Sequence, residues 1–165
     1  ADYPERAATI LSLYLPEYGY DRLLSDARAA YSDKFDGEIA PVKKLDEHLY
    51  VLELWHGPTS AFKDMALQIM PRLLSGALSI TGEQKKALIL VATSGDTGKA
   101  ALEGFRDVDG VSIGVMYPKE GVSDIQYRQM ATQRGENVTV WAVRGNFDDC
   151  QTGAKNVFGD DDFAE

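Results

Sequence analysis

The chain of 165 residues is poor in cysteine, histidine and long apolar runs. Cys150 is the only cysteine, which rules out an intrachain disulfide and a cysteine-based metal cluster and suits a reducing compartment. No stretch of 18 apolar residues is present and the first residues lack a signal-peptide pattern, so the expected setting is cytoplasmic with no membrane partner. Basic residues are also in deficit: 17 Lys and Arg stand against 26 Asp and Glu, giving a formal net charge of -9. Nucleic-acid phosphates require basic patches, and this balance argues against such a partner. There is no internal repeat and no low-complexity tract. The acidic "DDD" at 160–162 reads as an end or a loop. No metal site is expected.

What remains is an ordinary globular composition, 44% hydrophobic and 26% charged, in a chain long enough for a real core. Pro4 to Leu15 and Asp21 to Tyr31 read as amphipathic helices, the second with Leu23, Leu24, Ala27 and Ala30 on one face, forming a helical layer over a sheet. From residue 49 strands and helices alternate. "LYVLEL" (49–54) reads as a strand, Ala61–Leu74 as a helix kinked at Pro71, and "KALILVA" (86–92) as a buried strand. A helix over Thr97–Phe105, a strand over 111–117, and a helix opened by a Ser123–Gln126 capping box follow. A strand over 138–143 and a helix over Phe147–Val157 complete the pattern. Single helices between strands imply an α/β fold, a parallel sheet with helices on both faces, preceded by N-terminal helices. The expected division is an N-terminal helical segment over 1–48 and an α/β part over 49–165. In such sheets ligands bind beyond the carboxyl ends of the strands. Three loops should converge there: "WHGPTSAFKD", "ATSGDTGKA" and "YPKEGVSDIQ".

Lys63 stands where the first of these loops becomes a helix, and a cation at a helix start is electrostatically misplaced. It either points to solvent or pairs with Asp64, or it is a functional amine. Its neighbours Phe62, Met65 and Ala66 leave little obvious solvated face. A desolvated lysine amine is nucleophilic, the condition for Schiff-base chemistry.

In "ATSGDTGKA" a strand gives way to a helix, so backbone N–H groups can face an anion. A P-loop is excluded, because Thr93 stands in place of its first glycine and Ala100 in place of the magnesium-binding hydroxyl. The loop suits a carboxylate held by Ser94, Thr97 and backbone amides. Asp96 is out of place in an anion site unless a proton donor or cation lies nearby. A simple helix cap by Thr93 or Asp96 is the competing reading.

"HGPTSAFKDMALQ", then "ATSGDTGKAALEGF", then "GVSDIQYRQMAT", in that order and spacing, resemble the threonine synthase family, pyridoxal-phosphate enzymes of fold-type II. The resemblance implies that Lys63 carries pyridoxal 5'-phosphate as a Schiff base. It further implies that Thr93, Ser94, Gly95 and Thr97 lie against cofactor and substrate carboxylate. Asp96 would sit near the phenolic oxygen of the cofactor, with the Schiff-base proton as its donor, and Phe62 against the pyridine ring. His56 and Thr59 belong to the corner shaping the site, though a structural role suits His56 equally; His48, outside any motif, reads as structural. The implied reaction converts O-phospho-L-homoserine and water to L-threonine and phosphate, the last step of threonine biosynthesis. Lys63 would act as general base for the proton transfers.

The resemblance also implies a longer protein. The glycine-rich loop for the cofactor phosphate and the group facing the pyridine nitrogen find no match here, since "RGNFDD" (144–149) carries one glycine. The chain therefore reads as a fragment, inactive alone, with its oligomeric state open between monomer and homodimer. Two rivals are weighed beside this reading. One is another fold-type II lyase such as a serine/threonine dehydratase, and the other is an α/β nucleotide-binding module without the cofactor.

Overall fold

A capping box sets the first helix. Asp2 Oδ1 accepts the Glu5 N–H at 2.8 Å, Glu5 Oε2 accepts the Asp2 N–H at 3.0 Å, and Pro lies in the opening turn of α1, Tyr3–Tyr14. The structure, a computed structural model, describes residues 1–164 and falls into two compact units, Ala1–Gln84 and the residues from Lys85 on.

In the first unit, α2 (Tyr20–Ala30) buries Leu23, Ala27 and Ala30, three of the four residues expected on that face. The N-terminal helices close on each other and on Ile69 and Leu73, in a cluster with Tyr31, Phe35, Tyr3 and Leu11.

Two expectations are corrected in this unit. The strand over 49–54 is only Tyr50–Leu52 (β2), and it pairs antiparallel with Val42–Lys44 (β1) in a separate two-stranded sheet, Lys43 opposite Val51. Alternation identifies a strand but not its partner, and a short turn closed by Leu45 N–H to Leu49 O at 2.9 Å favours the antiparallel one. The helix over 61–74 is two helices, α3 at Asp64–Leu67 and α4 at Met70–Thr81. Pro71 has no N–H to give the Leu67 carbonyl, so the helix stops and restarts with Pro71 in its first turn. Leu73 N–H then bonds Ile69 O at 3.2 Å, and α4 closes on Gly82 at φ +70°.

The second unit holds the parallel sheet. Its strands β3 (Ala87–Ala92), β4 (Val111–Pro118) and β5 (Val138–Val143) lie in the order β3-β4-β5, Ala87 opposite Val111 and Ile113 opposite Val138. Helices α5 (Asp96–Phe105) and α6 (Asp124–Ala131) make the crossovers; α7 (Phe147–Phe158) and α8 (Asp161–Ala164) follow. With strand order equal to chain order, right-handed crossovers put α5 and α6 on one face, and α7 returns across β3 and β4. Central β4 is almost continuously apolar because both its faces are covered, and Ile113 and Val115 join Leu102, Phe105 and Met130 in the core. The α/β class and the helices on both faces are as expected. Among the described residues no helix is long and apolar enough to cross a membrane.

Candidate active site

In the first unit the chain leaves β2 and turns sharply over His56–Lys63. Asp64, fully buried, organises the turn: Oδ2 accepts the Thr59 backbone N–H and Oδ1 the Thr59 hydroxyl, both at 2.8 Å. Gly57 lies so close that a Cβ there would come within 2.6 Å of Asp64 Cβ and Oδ2. His56 Nε2 meets Glu53 Oε2 at 2.8 Å and its ring stacks on Trp55, a structural engagement. His48 is exposed in the hairpin turn.

Lys63 immediately precedes α3, half-buried, with helical φ and ψ. Helix α3 is a single turn, so its dipole is small and the expected repulsion of a cation at its start is weak. Asp64 is committed to Thr59 and not to Lys63. The described neighbour of Nζ is the Phe62 ring, 4.3 Å from the amine to the ring centroid. The sequence left little obvious solvated face around Lys63, yet Phe62 is 61% exposed and Ala66 is exposed too. The reason is that this turn presents its aromatic face outward instead of folding it into the core.

In the second unit "TSGDTG" links β3 to α5 as expected. Thr93 is buried, and its hydroxyl oxygen accepts the N–H groups of Gly95 and Gly98, both at 2.9 Å. The capping role therefore falls to Thr93. Gly95 has φ +142°, a conformation reserved in practice for glycine. Ser94 is exposed; Asp96 and Thr97 are half-buried at the mouth of α5. With the Gly98 N–H taken by Thr93 and that of Lys99 by Gly95 O at 3.2 Å, the Thr97 N–H stays without a backbone partner in this first turn.

Two residues that the sequence did not assign to this site complete the loop, Gln126 having been read only as a cap of the next helix. Lys99 is 8% exposed, and its Nζ lies 3.3 Å from Asp96 Oδ1. Gln126 Nε2 donates to the same oxygen at 2.9 Å. The cation and the donor that Asp96 needs are thus present in the chain itself, and Lys99 offsets the charge that would otherwise repel an anion. The i,i+3 spacing of Asp96 and Lys99 was readable; the Gln126 contact, across 30 residues, was not. Lys119 and Arg144, which follow β4 and β5, line a cavity of about 450 Å³ with Glu120 and Gly145 at the same sheet edge.

No family model matches the chain. It is 50% identical over 125 residues to the threonine synthase of Pseudomonas aeruginosa, covering 76% of this chain and 26% of that protein. Against the threonine synthase of Schizosaccharomyces pombe it is 41% identical over 169 residues, 98% of this chain and 33% of that one. The crystal structure of PLP-bound threonine synthase from Brucella melitensis superposes with a TM-score of 0.90 at 38% identity, covering 98% of this chain and 35% of that one. The chain thus spans between about a quarter and a third of the length of these relatives.

Proposed function

We infer that this chain, a homologue of threonine synthases over nearly its whole length, carries the lysine-bearing part of a pyridoxal-phosphate lyase. The enzyme would act in the cytoplasm on O-phospho-L-homoserine and water, giving L-threonine and phosphate. Residues 1–48 would serve as the N-terminal segment, helical apart from β1, and 49–165 as the first α/β part of the catalytic domain.

One observation supports the reading above the others. Lys63 and Asp64 are adjacent in sequence, yet Asp64 is buried and bonded twice to Thr59, so the Lys63 amine has no carboxylate beside it in its own turn. An amine held at a rigid corner, with an exposed aromatic face beside it, suits a covalently bound aromatic aldehyde. Within its own unit, Lys63 beside the Phe62 ring fits the cofactor: the lysine would hold it covalently and the ring would lie against its flat face; that Asp96 meets a polar edge is what the resemblance implies. Pyridoxal phosphate, when bound, supplies an electron sink for charge developing on the substrate carbons.

The chain's own groups do the rest. The Lys63 Nζ, once free, moves protons at the α- and β-carbons of the substrate. The hydroxyls of Ser94 and Thr97 and the Thr97 N–H hold its carboxylate at the positive end of α5. Thr93 keeps that loop in shape, and Gly95 lets the backbone approach. A nucleotide-binding reading gains nothing from the geometry, because two of the loop amides are spent on Thr93.

Borohydride reduction of the full-length protein with pyridoxal phosphate, followed by peptide mapping, tests the reading. The pyridoxyl mass is expected on Lys63; its appearance on another lysine, or on none, refutes it.

A further inference from the structure

The chemistry assigned to Asp96 requires its carboxylate to be aimed, and two donors meet it from different elements. Lys99 reaches Asp96 Oδ1 from one helical turn further along α5, and Gln126 reaches the same atom from α6. The lysine is 9% exposed as a side chain while the aspartate is 47% exposed. A cation so deeply buried is rare without a partner, and a carboxylate so open would sample several rotamers without one.

Gln126 uses both ends of its amide. Oε1 accepts the Ser123 backbone N–H at 3.0 Å and the Ser123 hydroxyl at 3.1 Å, completing the capping box of α6. A backbone N–H only donates, so the oxygen is fixed on that side and the NH₂ must face Asp96. The amide lies across Gly95, where an added Cβ would strike Gln126 Cδ, Nε2 and Oε1. The absence of a side chain at 95 therefore makes room for this bridge, in addition to permitting φ +142°. Gln126 ties the loop after β4 to the loop after β3 through one oxygen of Asp96.

We propose that Gln126 and Lys99 are positioning residues that together hold the Asp96 carboxylate toward the cofactor, with Gln126 acting as a bridge between the two loops. Lys99 adds the compensating charge that lets an aspartate stand at an anion-binding helix start. The inference rests on the reading of Asp96 as a cofactor neighbour.

Gln126→Glu separates positioning from capping. Glutamate keeps an acceptor for Ser123, so α6 stays capped. It loses the NH₂ and turns an oxygen toward Asp96. In the full-length enzyme this variant should melt within about 3 °C of wild type. Its kcat should fall roughly tenfold or more, about 1.4 kcal/mol of barrier, with KM moved little. The visible absorption of bound pyridoxal phosphate at fixed pH should differ from wild type, as it should in Asp96→Asn. Lys99→Met should also move the spectrum away from wild type, and Lys99→Arg should bring it part of the way back; if Lys99→Met does not fold, Gln126→Glu and Lys99→Arg decide. A changed spectrum in Asp96→Asn with wild-type spectra and kcat in Gln126→Glu and Lys99→Met overturns the positioning role and leaves the site intact. An unmoved spectrum in Asp96→Asn overturns it as well. Failure of the functional reading is seen separately, as missing pyridoxyl on Lys63.

Discussion

Thr59 and Asp64 close a ring five residues wide, in which the backbone N–H and the hydroxyl of one residue both end on the carboxylate of the other, each at 2.8 Å. The ring occupies the carboxylate nearest in sequence to Lys63 and fixes the turn from which the lysine projects. Thr59→Val keeps the shape of the side chain and removes one donor from a fully buried carboxylate. Losing a hydrogen bond to a charged group costs about 1.5–3 kcal/mol. Urea denaturation should show that loss, with pyridoxal-phosphate binding weakened alongside; an unchanged midpoint would mean that water replaces the hydroxyl.

Lys63→Ala should leave folding untouched and abolish turnover. The described contact of its amine is the Phe62 ring, worth about 0.5–1 kcal/mol at an exposed site. The rate should fall by more than the ~10²–10⁴ typical of a lost general base, because the covalent anchor goes too. Circular dichroism and threonine formation in the full-length enzyme check both halves. A variant retaining a tenth of the wild-type rate would exclude the role.

Thr93→Val leaves the Gly95 and Gly98 N–H groups without their acceptor in a buried loop. An ordinary cap loss costs about 0.5–2 kcal/mol, and two stranded donors should place this one at or above the top of that range. Native-state hydrogen exchange should quicken at Gly95 and Gly98 first. Unaltered protection at both would assign the loop's shape to something else.

The fold should weaken in alkali. Burial, then the neighbouring Tyr3, pushes the Tyr31 phenol well above its ordinary 10.0, and the hydroxyl donates to Met65 O at 2.6 Å. Burial, then Asp149, raises the Cys150 thiol above 9.0. Both folded groups prefer the proton more than their unfolded counterparts do. Their contribution is complete below the unfolded values and is lost as pH rises past 9 for the thiol and 10 for the phenol. Urea midpoints should be flat up to about pH 9 and fall beyond it, and Tyr31→Phe should flatten the decline above pH 10. A midpoint that rises with pH in that range would contradict the sign.

Sequence made the second unit legible and the first only in part. Strand β3 is a continuous apolar run, and β4 and β5 are apolar runs interrupted only by Ser112 and Gly114 in the one and Thr139 in the other, each followed by a polar loop. The hairpin was missed because Val42–Lys44 is short and charged, and its partnership with Tyr50–Leu52 depends on a turn instead of a pattern. The break between α3 and α4 was signalled by Pro71, but an apolar period running through it resembled one kinked helix. At the site, the motif exposed Lys63, Asp96 and the glycines. The resemblance supplied the Schiff-base proton as the donor for Asp96, whereas the fold supplies Lys99 and Gln126, because one half of that arrangement is tertiary. Phe62 was legible as an aromatic neighbour of the lysine but not as an exposed one.

The order β3-β4-β5 has a consequence for how this region is made. Paired residues such as Ala87 and Val111, or Ile113 and Val138, lie only about 25 positions apart. Each strand can therefore dock on the edge of the one before it as the chain leaves the ribosome, with little loop entropy to overcome. Gln126 is translated between the second and third strands, so it can reach Asp96 before β5 exists. The loop between β3 and α5 is thereby able to take its final form early, while the rest of the sheet is still being added.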